Sequence, residues 1–305
     1  MTQSLIWLTP ALLALFAYGI GQGLVKKWIS QVPPARFCLY FVVAKALVNI
    51  GYYLWQSLGV SGVSFNVEPL PPLFSAETAA FTTAGILAYL LDGAGWILYF
   101  KSIIAGPITI VGTLSAAYPA LTVLFARVFL GEVLEPIQYL GVALVISGCL
   151  GLSYSPPDRN SKVTDRKWVI YAGSALVLWG AAQTIVKYSY GLSGANEANL
   201  AIYNTLGGLC SIGVYGWLWG RGGTHSFAEW GRSFFPMGLM AAGDLGVIIA
   251  SKFGPISIVT PLTGAYPLVT LGFAAMILRE KISRFQWLSI ALILVGMLIS
   301  PGNSG

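Results

Sequence analysis

Charge is what this chain has least of. Only 9% of its 305 residues are Asp, Glu, Lys or Arg, where a soluble domain carries roughly 25%. Water is therefore the wrong solvent for most of it. The single histidine, His225, falls in a polar loop, so no His–Asp or Ser–His constellation can be assembled and an intramembrane enzyme is disfavoured. Cys38, Cys149 and Cys210 lie scattered in apolar runs. That spacing excludes a disulfide framework and a metal site, and a thiol there acts as a small hydrophobe. No P-loop is present, so ATP is not the expected energy source. Met1 to Ser4 lacks positive charge and precedes a long apolar run, which argues against a cleavable signal peptide. No cofactor, metal or nucleic-acid partner is expected.

What is abundant is apolar length. Hydrophobic residues make up 56% of the chain, and the mean hydropathy is +0.74. A helix needs about 20 apolar residues to cross the hydrocarbon core. On that criterion ten spans are predicted: Leu5–Val25, Arg36–Leu58, Ala79–Ile104, Pro107–Leu130, Ile137–Tyr154, Trp168–Tyr190, Ala198–Trp219, Phe235–Phe253, Pro255–Leu278 and Phe285–Ser300. The polar stretch 155–167 divides them into halves, 1–154 and 168–305.

The halves repeat each other. GPITIVGTLSAAYP from Gly106 returns as GPISIVTPLTGAYP from Gly254, 148 residues on, and Glu132, Gln138 and Gly148 return as Glu280, Gln286 and Gly296. Tyr18-Gly19, Gln22 and Lys26 match Trp179-Gly180, Gln183 and Lys187. Asp92 is mirrored by Asp244, with a difference of four residues in their distance from the following Gly-Pro, about one helical turn. Five spans per half is odd, so the halves should be inverted in the membrane.

An aromatic-Gly pair with a lysine seven residues on, a Gly-Pro-opened helix, and an acid at a tight turn (Leu130-Gly131-Glu132) together resemble the EamA repeat. That repeat is the hallmark of the drug/metabolite transporter superfamily, and the resemblance covers nearly the whole chain. It implies an all-α integral membrane fold of ten transmembrane helices, built as two inverted five-helix repeats around a central cavity. The third, fourth, eighth and ninth spans would lie near its middle, with the Ala-Tyr-Pro segments facing in. The resemblance implies transport without fixing the cargo.

With ten spans both termini lie on one side. The opposite loops carry Lys26, Lys27, Arg36, Lys101, Arg159, Lys162, Arg166, Lys167, Arg221, Arg232, Arg279, Lys281 and Arg284, against Arg127, Lys187 and Lys252 on the termini's side. The positive-inside rule predicts cytoplasmic basic loops and external termini in the plasma membrane, the reverse of the arrangement usual for EamA proteins.

Charges near the bilayer centre cost roughly 2.5–3.5 kcal/mol each and need a reason to be there. Lys45, Asp92 and Asp244 fall mid-span. Lys45, Asn49, Tyr52 and Gln56 share one helical face, as do Tyr89, Asp92, Trp96 and Tyr99. The candidate substrate-binding set is Gln22, Lys45, Asn49, Asp92, Trp96, Tyr118, Trp179, Gln183 and Tyr266, with Asp244 as coupling candidate. The bland reading makes Lys45 and Asp92 a structural ion pair between neighbouring helices, and Gln22 and Gln183 are as readily interhelical hydrogen-bond glue as ligand contacts. Glu132 and Glu280 read as structural, capping the following helix or pairing with Arg127 and Arg279. Trp7, Trp28, Trp55, Trp168, Trp217, Trp219 and Trp287 read as interfacial anchors near span ends.

The expected function is a gradient-driven transporter, an exporter of a small polar or zwitterionic metabolite such as an amino acid or amine. A coupling proton or cation would occupy the acid left over once a substrate is bound. The alternative is an organic-phosphate or nucleotide-sugar exchanger using Lys45, Lys101 and Lys252. The protein would work as a monomer or homodimer amid membrane lipid.

Overall fold

The computed structural model describes residues 6–28, 32–58, 70–105, 117–153, 167–222, 226–277 and 283–300. The first Gly-Pro segment, most of the connector 155–167, His225 and Glu280 lie outside them. Among the described residues there is no strand. A chain this apolar satisfies its backbone within each segment, and the α-helix does so.

The helices are α1 (Leu8–Trp28), α2 (Pro34–Ser57), α3 (Ala79–Ala105), α4 (Tyr118–Phe125), α5 (Pro136–Ser153), α6 (Lys167–Ser189), α7 (Glu197–Gly208), α8 (Val214–Gly220), α9 (Phe227–Phe253), α10 (Ile256–Gly264), α11 (Tyr266–Ile277) and α12 (Arg284–Ile299). A π-helical turn, Leu209–Gly213, joins α7 to α8, and another, Ala126–Leu130, continues α4. Among the described residues six stretches are long and apolar enough to cross a membrane, with shorter apolar helices beside them. Their outer faces carry Leu47, Ile50 and Leu54 on α2 and Leu294, Val295 and Leu298 on α12, all exposed. The chain is an integral membrane protein.

Proline sets the breaks. α10 stops at Gly264 and α11 restarts at Tyr266, ahead of Pro267, and α4 likewise begins at Tyr118 ahead of Pro119. A proline removes an amide donor and fixes its own φ, so it fits a helix's first turn. One boundary differs from expectation: α9 begins at Phe227 rather than Phe235. Pro236 sits inside it, and Ser226 caps the earlier start, its hydroxyl accepting from the Glu229 amide at 3.0 Å.

Helices pack in long pairs, α3 with α6, α1 with α9 and α5 with α12. At one end of the bundle Arg36 ties α2 to the turn after α8. Its guanidinium donates to the carbonyls of Gly220 and Gly222 and pairs with Glu229 at 2.9 Å. This is the basic end. At the other end Lys252 pairs with buried Glu197 at 2.5 Å, and Lys187 Nζ donates to the Ser251 and Gly254 carbonyls at 3.0 and 2.7 Å. Those carbonyls terminate α9, where a cation is favoured. Trp7 packs there against Gly254 and is buried, so it is a core residue rather than an interfacial anchor. Trp217, Trp219 and Trp287 are more than half exposed, as anchors are.

Glu132 plays a different structural part from either expectation. Its carboxylate accepts from the Ile256 and Ser257 amides at 3.1 and 3.0 Å and from the Ser257 hydroxyl at 2.7 Å. It caps α10, in the other half of the chain. Gly131, at φ 69°, turns the chain sharply enough to aim it there.

Candidate functional site

Asp92 on α3 and Asp244 on α9 converge on one ammonium. Lys45 Nζ lies 2.7 Å from Asp244 Oδ2 and 3.6 Å from Asp92 Oδ2. It also donates to Asn204 Oδ1 of α7 at 3.1 Å and sits over the Phe41 ring. The lysine side chain is 1% exposed, while each aspartate is 16% exposed. The acids therefore stand between the lysine and open space. Tyr18 reaches Asp244 from the opposite side, its hydroxyl donating to Oδ1 at 2.5 Å.

That open space is a chamber of about 70 Å³ lined by Tyr18, Gln22, Asp92, Trp96, Tyr118, Trp179, Gln183, Met240, Asp244 and Tyr266. It adjoins a larger one of about 320 Å³ that shares Gln22, Trp96, Tyr118, Trp179, Met240 and Tyr266 and extends past Val25, Phe37, Cys38, Tyr99 and Phe100. Those residues belong to the basic-end halves of α1, α2 and α3. Toward the other end the acids are backed by packed core, with Tyr52, Phe81, Tyr89, Tyr203 and Ile248 all buried. The rings line the chamber in two groups: Trp96 and Trp179 are 5.1 Å apart edge to face and Tyr118 and Trp179 5.8 Å, while Tyr18 and Tyr266 are 6.0 Å apart. Aromatic walls with a few convergent polar groups are the make-up of a small-molecule site. One such group is an orphan: Gln183 Oε1 is buried with no hydrogen-bond partner among the described residues.

The walls are built in matching pairs. Tyr18 packs against Gly243 and Tyr266, and Trp179 packs against Gly95 and Tyr118. A Cβ on Gly243 would lie 2.8 Å from Tyr18 Cδ1, and one on Gly95 2.7 Å from Trp179 Nε1. Beside them Gly19 abuts Val269 and Gly180 abuts Leu121. The glycines 95 and 243, the tyrosines 118 and 266, and Leu121 and Val269 all keep the offset of 148 seen in the sequence. By these contacts Met240 corresponds to Asp92 and Asp244 to Trp96. The two acids are one turn apart along equivalent helix faces, and both still reach the chamber.

Among the expected residues, Gln22, Asp92, Trp96, Tyr118, Trp179, Gln183, Tyr266 and Asp244 line the chamber together. Lys45 stands behind the acids. Asn49 lies further off, donating to Thr205 Oγ1 at 3.1 Å between α2 and α7. Tyr52 and Gln56 continue that seam, Gln56 donating to the Tyr52 hydroxyl at 3.1 Å. Sequence reasoning left Tyr18, Met240 and Asn204 out of the candidate set. Met240 was findable from the 148-residue offset to Asp92. Asn204 carried no signal beyond being polar within an apolar span.

Comparison with known proteins agrees with this architecture. The model of the EamA-like transporter family matches residues 5–154 and again 166–300. The chain belongs to that family. The family is described as one of EamA-like transporters. Over 141 residues it is 27% identical to the uncharacterized transporter YwfM of Bacillus subtilis (strain 168), a match spanning 46% of this chain and 43% of YwfM. A solved crystal structure superposes with a TM-score of 0.73 at 18% identity, covering 96% of each chain. That likeness establishes the fold alone.

Proposed function

We propose that this EamA protein is a gradient-driven transporter of a small metabolite bearing an ammonium group, an amine or a zwitterion such as an amino acid. The observation that carries the reading is the pair of aspartates facing a common chamber while Lys45 is withheld behind them. A solute entering meets two carboxylates and a wall of aromatic faces, with Gln22 and Gln183 among the lining side chains. Carboxylates and ring faces both attract an ammonium. Asp92, Asp244, Gln22, Gln183, Trp96, Trp179, Tyr118 and Tyr266 are its proposed contacts. Asp244 also serves as the group whose charge couples transport to a proton or cation.

The architecture proposed for this work is ten crossings in two inverted halves, 1–154 and 168–305, about the connector 155–167. The matched contacts of Tyr18 and Trp179 support it, as does the odd number of spans per half. Basic loops would face the cytoplasm and both termini the outside. The larger chamber reaches toward the basic end, so cargo would load from the cytoplasm, consistent with export. An organic-phosphate carrier draws little support. Lys45 is enclosed by its own acids, and Lys252 is engaged by Glu197 at the other end of the bundle.

The test is counterflow in proteoliposomes. Vesicles preloaded with unlabelled amines or amino acids should take up labelled solute with saturable kinetics, and Asp92→Asn and Asp244→Asn should abolish the concentrative phase. Flux that does not saturate, or that is indifferent to both substitutions, refutes the reading.

A further inference from the structure

The three buried charges of the site are unequal in number, two carboxylates and one ammonium, and only the carboxylates meet the chamber. The ammonium is satisfied on several sides, by Asp244 at 2.7 Å, Asn204 at 3.1 Å, Asp92 at 3.6 Å and the Phe41 ring face. It is too enclosed to bind solute directly. The Tyr18 hydroxyl on Asp244 adds a hydrogen bond and no charge. The space between Asp92, Asp244 and the ring wall therefore carries one uncompensated negative charge, in surroundings where an unbalanced charge is costly.

We propose that Lys45 is a built-in counter-ion that fixes the charge of the accepted cargo head group at a single positive charge. The proposal rests on the amine reading above and sharpens it. One ammonium entering the chamber brings the cluster to neutrality. A dication overshoots by one charge, and a neutral isostere leaves the deficit standing. Lys45 thus sets specificity without touching the cargo: it cancels one of the two acids and leaves the other to be matched. Were it absent, the same chamber would call for two positive charges. Asn204 holds the ammonium from the side away from the chamber, which keeps it from acting as a mobile competitor for the cargo's place.

The experiment measures binding of three probes of similar length to purified full-length protein in lipid nanodiscs at neutral pH and fixed ionic strength. The probes are butylammonium, 1,4-diaminobutane and the neutral butanamide. Wild type should bind butylammonium about tenfold or more tightly than either of the others, the order expected when one unbalanced charge decides between ligands. Lys45→Met should reverse the first preference, favouring the diamine. Lys45→Arg, which keeps the charge, should not reverse it. If Lys45→Met cannot be purified folded, Asp92→Asn gives the converse test. It removes the acid more loosely held to Lys45, and the advantage of butylammonium over butanamide should collapse. A monoamine-to-diamine ratio unchanged within about twofold in folded Lys45→Met, or an undiminished amine preference in Asp92→Asn, overturns the proposal while leaving the amine reading intact. Failure of wild type to bind any amine overturns both.

Discussion

Lys45 and Asp244 should be coupled strongly enough to measure. At 2.7 Å, with an effective dielectric of about 20, their gross attraction is about 6 kcal/mol, and that of Lys45 with Asp92 at 3.6 Å is about 5 kcal/mol. Desolvation of three buried ions consumes most of this, so the informative quantity is what each deletion leaves behind. Lys45→Met leaves two carboxylates facing each other without a cation and should cost about 3–5 kcal/mol, the range for stripping a buried pair of one partner. Asp244→Asn leaves the ammonium with Asp92 and Asn204, and the new amide can still accept from Tyr18. Its cost should be smaller, about 1–3 kcal/mol by the same reasoning. The double variant contains one acid and no cation. That single acid can take up a proton with no like charge beside it, so its cost should fall well short of the sum. Equilibrium unfolding of the four purified proteins in one detergent gives the cycle, with an expected coupling of about 2 kcal/mol or more. Additivity within about 0.5 kcal/mol would mean the two residues do not act as a unit, and the account of the cluster would be wrong.

Two further outcomes follow from the packing and one from the distribution of basic residues. Gly243→Ala and Gly95→Ala each drive a Cβ to within 2.8 and 2.7 Å of the Tyr18 and Trp179 rings respectively. Each should cost about 1–3 kcal/mol of stability and lower counterflow in parallel in the two variants; an unchanged rate in either would show that its ring does not shape the chamber. Glu132→Ala strips three hydrogen bonds from the start of α10 and should destabilise by about 1–2 kcal/mol, as the loss of a helix cap does, with Glu132→Gln recovering part of it. Thermal melting reads both, and an unperturbed Glu132→Ala refutes the cap. For orientation, single cysteines at exposed Ser193 and Gly222 in a background with Cys38, Cys149 and Cys210 replaced should report opposite sides. An impermeant thiol reagent applied to intact cells should label position 193 and spare 222, and the converse pattern inverts the topology.

The fold was legible because the signals that set it are local. Apolar runs of bilayer length demand helices, although the ninth run, expected as one span, is divided between α10 and α11 just before Tyr266. Where a boundary was misplaced, at Phe235, two cues competed: a proline that reads as a stop, and Ser226 nine residues earlier in position to cap a start. A proline costs a helix one amide donor, and a well-capped, apolar helix with tertiary packing tolerates that loss.

The site was legible only as an inventory. Lys45, Asp92 and Asp244 announce themselves by cost, since ionisable groups at that depth must meet a partner or water. Which partner each meets depends on rotation about three separate helix axes, and no spacing within one helix encodes it. Asp244's own span holds no cation at its depth, yet the nearest ammonium arrives from α2, 199 positions earlier in the chain. The same blindness holds for Glu132, whose partners at Ile256 and Ser257 lie across the halves. The repeat mitigates it in part. Once Gly95 is seen against Trp179 and Gly243 against Tyr18, the 148-residue offset carries over to the helix faces themselves. It then sets Asp92 opposite Met240 and Asp244 opposite Trp96, so each half supplies one acid and one bulky apolar neighbour in swapped order. Lys45 has no such counterpart at the equivalent depth in the second half, where α7 offers Asn204, Thr205 and glycines instead. A symmetric scaffold carrying one unsymmetric charge can hold two acids near a shared cation, which neither a lysine in each half nor none at all would allow.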